Sequence, residues 1–232
     1  MAKVGFALPP NEETRAPGVD SRDAIAKAAF VFGIVVGMSS QPFVDRVFSN
    51  LPPVGRKFMF QSWKHVGQPT KEGVGILPVS GVDVTAVATR IMDVDHYRGN
   101  VDHVEECRTV PDSSYTPPNS VRFYQRIKIP VLGSLHHELV LEDLGEREGW
   151  RVLAWHQHPG TDALDKKKGA RSEYNVGAWL LRSDAVGYAL SSAPRRDDVG
   201  RLKFAALTRG ADAGATAVLQ ANIEGMLRWS KR

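Results

Sequence analysis

The sequence contains a single cysteine, Cys107. That excludes an intrachain disulfide and any metal site built on several thiolates. No signature places a base beside Cys107, so it reads as a structural thiol and not as a nucleophile. Long apolar runs are also missing. Residues 28–38 are continuously apolar, but this run has 11 residues, where a membrane-spanning helix needs roughly 20. Charge of one sign is nowhere concentrated. The net charge is +4, and both basic clusters are mixed with acid: Lys166-Lys167-Lys168 beside Asp162 and Asp165, Arg195-Arg196 beside Asp197 and Asp198. Such mixtures are solvated loops; a nucleic-acid surface needs a one-signed stripe on one face. There is no internal repeat, no low-complexity tract, no nucleophile elbow, no phosphate-binding glycine loop and no HExxH helix.

What is present is an ordinary globular composition, 42% hydrophobic and 24% charged over 232 residues. That length suits one domain of ordinary size, or one domain with an appendage. Residues 1–55 read as an N-terminal leader, with an apolar helix over about 22–38 and a linker at Pro52-Pro53. Residues 56–232 read as the folded domain. The apolar helix has three readings: packed on the domain, lying on a membrane surface as an anchor, or serving as an atypical export signal. An export signal begins with a short basic region. Here 27 residues precede the apolar core, and four acidic ones offset four basic ones. A cytoplasmic protein, with transient membrane contact through residues 22–38, is the expectation; export stays open.

Residues 121–142, VRFYQRIKIPVLGSLHHELVLE, organise the rest. Val121, Phe123, Gln125, Ile127 and Ile129 alternate with Arg122, Tyr124, Arg126 and Lys128. Strict alternation predicts a strand with one apolar and one solvated face. His137, Leu139 and Leu141 continue the apolar face on a return strand after 130–133. Gln125 and His137 are the polar exceptions on that face. A buried polar group is costly without a partner. These two therefore pair with each other, pair with other protein groups, or face a molecule outside the chain.

Along the chain, 58–66 and 74–79 read as strands, and 82–92 takes helical spacing with Asp83 as its N-cap. A short helical piece at 95–100 follows. Strands are expected at 104–110, 150–158, 174–181 and 186–192, beside the pair at 121–142. From 199 onward helical spacing returns, with Gly210 and Gly214 as weak points. The order predicts an α+β fold, a curved antiparallel sheet of sequential neighbours with one long C-terminal helix across its concave face. A strongly curved sheet and a straight helix leave a cavity between them.

VTAVATRIMDVDHYRGNVDHVEECRTV at 84–110, VRFYQRIKIPVLGSLHHELVL at 121–141 and YNVGAWLL at 174–181, with the helix from 199, resemble the START / polyketide-cyclase-like superfamily (SRPBCC). The resemblance covers roughly residues 56–232 and implies the helix-grip fold. It also implies an internal cavity for a lipid, sterol, isoprenoid or similar hydrophobic small molecule, held for transfer or sequestration. Pocket walls are then expected from Phe123, Ile127, Leu139, Trp155, Trp179 and Tyr188 on strands, and Met226 on the helix. Polar anchors are expected from Gln125, His137, His156, Tyr174 and Asn175, beside the alternative that these are satisfied core groups. No cofactor is implied.

His156-x-His158 puts two rings on one strand face, a spacing that suits a metal. No acidic or thiol ligand stands at a matching spacing, and Pro159-Gly160 ends the strand, so the pair reads instead as a strand end at the cavity mouth. An alternative function is a polyketide cyclase or dehydratase, with His137, His156 or Tyr174 as general acid or base.

Overall fold

Alternation in the sequence becomes eight strands of one sheet. The computed structural model describes residues 39–129, 132–209 and 211–232. The apolar run at 28–38, Pro130, Val131 and Gly210 lie outside them. A helix at Gln41–Ser49 (α1) comes first, then strands Met59–Trp63 (β1) and Glu72–Pro78 (β2). Helix Val84–Met92 (α2) and a 3₁₀ turn at Val94–His96 lead into Val104–Thr109 (β3). Strands Ser120–Ile129 (β4), Gly133–Arg147 (β5), Trp150–Gln157 (β6), Ala170–Arg182 (β7) and Ala185–Pro194 (β8) follow. A short helix, Arg196–Val199 (α3), precedes the C-terminal helices Arg201–Arg209 (α4) and Ala211–Ser230 (α5).

The sheet order is β1-β2-β8-β7-β6-β5-β4-β3, antiparallel between neighbours. Consecutive strands are neighbours except β2 and β3. The chain leaves β2 at one side, forms α2 over the sheet, and re-enters at the opposite edge. A second departure matters more for function. β5 outruns β6, so its first residues pair directly with β7 in parallel, Leu135 with Ala170 and His136 with Arg171.

Each face of the sheet has its own core. On the concave face α2 buries Val87, Ala88 and Ile91, and α5 buries Ile223, Met226 and Leu227. These meet Phe123, Leu139, Leu141, Leu153, Trp155, Trp179 and Leu181 of the strands. The α2 start is set by Asp83, whose carboxylate accepts the Ala86 N–H at 2.9 Å, satisfying a donor that the first helical turn leaves unpaired. On the convex face Phe43, Val44 and Val47 of α1 pack on Val74, Ile76, Trp150, Val152 and Leu180. One compact unit spans Met38–Arg232, and α1, which precedes residue 55, is packed into it. Glu72 is buried under α1. It accepts from Arg46 Nε at 2.8 Å and Nη2 at 2.7 Å, and from Trp63 Nε1 at 2.7 Å.

The expected register of β4 holds. Ile127 opposes Leu135 on the concave side, while Arg126 turns outward to Glu105 at 3.2 Å and Glu106 at 3.4 Å. The outer face is not solvated as alternation alone suggests. Tyr124 and His136 are buried there, and Arg122 is half-buried between Asp112 and Glu138. Over the Tyr124 ring the cover is the Arg108 guanidinium, and over Glu138 and Arg122 it is the 3₁₀ turn Pro159–Ala163. Its buried Thr161 hydroxyl donates to the Glu138 carbonyl at 3.1 Å and accepts the Glu138 N–H at 2.9 Å.

Candidate functional site: a polar relay beside an apolar cavity

Of the side chains expected to face the cavity, two are turned away. His156 sits next to Trp155 on β6, and Tyr174 next to Asn175 on β7. Neighbouring strand residues point to opposite faces, so only one of each pair can look inward. Trp155 and Asn175 do, and they touch: the indole Nε1 donates to Asn175 Oδ1 at 2.8 Å. His156 lies on the outer face, opposite Val140 and Val176, with Nδ1 3.8 Å from Glu142 Oε2. The His156-x-His158 pair is therefore on the convex side and not at a cavity mouth. Among the described residues no group of acidic, histidine or cysteine side chains has metal-ligand geometry. The Tyr174 hydroxyl bonds Thr70 Oγ1, tying the β1–β2 connection to β7.

Most of the inward-facing candidates form filled core. Tyr188 stacks against Trp179 at 4.4 Å and Trp155 at 5.5 Å between centroids. Phe123 meets Tyr97 edge-on at 6.3 Å, and Tyr97 meets Trp229 at 6.0 Å. Leu139 and Met226 are 2% exposed, which leaves no room for a guest beside them. Burial also pushes the Tyr188 phenol and the Cys107 thiol well above their ordinary pKa values. Cys107 is thus the inert structural thiol expected of it. The ring of Trp155 lies over Gly177, where a Cβ would collide with it and come within 2.6 Å of the Ala189 carbonyl.

Gln125 and His137 do pair with each other. His137, fully buried, places Nε2 3.0 Å from Gln125 Oε1. Its Nδ1 is 2.9 Å from Ser172 Oγ and 3.4 Å from Asn175 Nδ2. Ser172 and Asn175 reach β5 only because β7 meets β5 directly beyond the end of β6. Donor and acceptor roles follow from the indole, which can only donate. Asn175 must turn its oxygen to Trp155 and its amide to His137 Nδ1. Nδ1 is then an acceptor, the proton is on Nε2, and Nε2 donates to the Gln125 oxygen. Burial holds His137 neutral, with its pKa pushed down to about 3.

The unfilled volume lies toward the other end of the concave face. An apolar cavity of about 210 Å³ sits between the sheet and α5. Its walls are Phe60 and Gly73 of β1 and β2, Leu190 and Ser192 of β8, Ile129, Leu132 and Leu135 around the β4–β5 turn, and Ala215, Val218 and Leu219 of α5. None of the candidate side chains lines it. The signal that locates it was nonetheless available: Ile129 and Leu190 continue the inward alternation that passes through Phe123 and Tyr188. Ile127 borders this region, half-buried beside Leu135. Across the Thr70–Tyr174 contact lies a wider polar cleft of about 910 Å³, edged by Arg171, Arg195 and Arg196.

No known family and no curated protein matches the chain by sequence. Solved structures match it in shape. The STAR-related lipid transfer protein of Xanthomonas axonopodis (fragment 25–204) superposes with a TM-score of 0.60 at 13% identity, over 78% of this chain and 97% of that one. Human STARD10 gives 0.62 at 12% identity, over 84% and 82%. Human StAR-related lipid transfer protein 5 gives 0.58 at 9% identity, over 91% and 100%. Among the described residues no helix is long and apolar enough to cross a membrane. With an open, curved antiparallel sheet, two short helical pieces after its second strand and a C-terminal helix across its concave face, the chain has the helix-grip fold of START-type domains.

Proposed function

We propose that this protein binds a hydrophobic small molecule in the cavity beneath α5 and holds it out of water for transfer or sequestration. The observation that carries this reading is the apolar cavity itself, walled by Phe60, Ile129, Leu135, Leu190 and Leu219 beside the packed core of the concave face. Pockets of this kind take apolar ligands, with a few polar groups setting orientation. The names of the START-type structures, lipid transfer proteins, agree with it. The cyclase alternative gains no support, because its acid–base candidates are occupied elsewhere. His137 is neutral and bonded on both nitrogens, while His156 and Tyr174 lie off the cavity.

Titration of the full chain with the apolar fluorophore 1-naphthylphenylamine, with native mass spectrometry of the purified protein, tests the reading. Saturable probe binding displaced by a co-purifying lipid supports it; no binding of the probe and no bound small molecule would sink it. Membrane contact during exchange is assigned to residues 22–38. Liposome sedimentation of the chain with and without residues 1–38 tests that assignment, which fails if partition is unchanged.

A further inference from the structure

Gln125 is the one member of the buried relay whose amide NH2 meets no partner among the described residues. Its oxygen is taken by His137. Its Nε2 bonds to no described residue and stays accessible in a half-buried side chain. The orientation is imposed from 155 onward: Trp155 gives to Asn175, Asn175 to His137, His137 to Gln125. Reversing the Gln125 amide would set an N–H against the N–H of His137 in a buried site, at the cost of an unpaired donor. The free N–H groups are therefore locked toward the concave space. Gln125 shares that face with Ile127 and Ile129, and it is the diagonal neighbour of the cavity wall Leu135, about 7–8 Å away.

We infer that the ligand extends from the cavity past Ile127 to Gln125, which lies outside the cavity wall and serves as its polar anchor, acting only as a donor, so that the ligand is an apolar molecule bearing an acceptor oxygen, such as a ketone, ester or carboxylate. This rests on the hydrophobic-ligand reading above and sharpens it. Trp155, Asn175 and His137 are positioning residues. They touch no ligand and serve to keep the carboxamide from rotating. A ligand group that only accepts completes the relay; an alkane leaves the Gln125 N–H groups desolvated and unpaired.

The test compares 2-decanone with undecane, equal in heavy-atom count, on the full chain. The readout is the ratio of their affinities, measured by displacement of 1-naphthylphenylamine. Gln125→Leu should lower the ketone-to-alkane ratio about fivefold, the worth of one hydrogen bond, with undecane binding retained. Trp155→Phe, which removes the first donor but keeps the ring, should lower the ratio in the same direction. Nitrogen-15 NMR of His137 in the parent should show Nε2 protonated and Nδ1 bare. If both ligands bind and the ratio does not change in Gln125→Leu, or if His137 is the opposite tautomer, the anchor is wrong while the cavity reading survives. If neither ligand nor the fluorophore binds, both fall.

Discussion

Gln125 and His137 stand opposite each other on β4 and β5, joined by a 3.0 Å bond from His137 Nε2 to Gln125 Oε1. The two polar residues that interrupt an otherwise apolar face thus bond one another, and β7 supplies the partners of the other His137 nitrogen. Replacing His137 by Leu leaves buried Ser172 and Asn175, and the half-buried Gln125, short of partners. A loss of about 3 kcal/mol in unfolding free energy is expected, measured by urea denaturation. A loss under about 1 kcal/mol contradicts a closed relay.

Stability should depend on pH through the buried histidines. Burial depresses the folded pKa of His137 to about 3 and of His156 to about 4, against about 6.5 unfolded. Below 6.5 the unfolded chain takes up protons that the folded chain refuses. Stability is then complete above that pH and falls as pH drops toward 4, by at most about 1.4 kcal/mol per pH unit for each histidine. Asp198, held down to about 2 by its bonds to Arg171, loses its contribution only below the ordinary carboxylate range. Urea midpoints between pH 6.5 and 4.5 read the histidines, with Glu142, whose pKa burial raises, acting in the opposite sense at the low end. His156→Asn should flatten the slope; an unaltered slope excludes His156 from it.

Gly177 is the seat of the Trp155 ring. Gly177→Ala drives a methyl into that ring and against the Ala189 carbonyl at 2.6 Å. The expected cost is about 1–3 kcal/mol, with a shift in tryptophan emission as the indole leaves Asn175. Wild-type emission and stability would place the ring elsewhere.

Arg46 ties α1 to the sheet. Arg46→Met removes both of its bonds to Glu72, whose carboxylate is 1% exposed. Stranding a buried charge costs about 3–5 kcal/mol. Differential scanning calorimetry should show a lower Tm, and Arg46→Met with Glu72→Gln should recover part of it. No recovery in the double variant means that Arg46 acts through something other than Glu72.

Ala215 faces the cavity from α5. Ala215→Phe fills that space, so apolar probe affinity should fall about tenfold or more while stability is kept or slightly raised, as in other cavity-filling changes. Undiminished binding in a folded Ala215→Phe protein puts the ligand in another place.

Much of the fold is legible because its elements announce themselves locally. The period of two across 121–129 sets β4, its inward face and the placement of Gln125 and Ile127. The period of 3.6 after Asp83 sets α2, whose cap bonds as expected. The same local rule, applied strictly, separates Trp155 from His156 and Asn175 from Tyr174, since adjacent strand residues cannot share a face. The candidate site was less legible. Whether an inward aromatic is core or pocket wall depends on what lies above it. Trp179 and Tyr188 pack on each other within the cluster that α2 and α5 close; Leu190, two residues further along the same face, packs on that cluster and also walls the cavity.

By itself the sequence determined the strands, the helix after Asp83 and the C-terminal helical stretch, the concave-facing side of β4, and the presence of two polar groups where apolar ones were due. All of this follows from periodicity and capping, which are properties of near neighbours. Only the tertiary structure decided that β5 outruns β6 and meets β7, bringing Ser172 and Asn175 to His137 across 35 and 38 residues of chain. It also decided that α1 covers the convex face and that α5 fills one end of the concave face while leaving the other open. Those outcomes depend on strand lengths and sheet curvature summed over the whole domain. No local pattern encodes them.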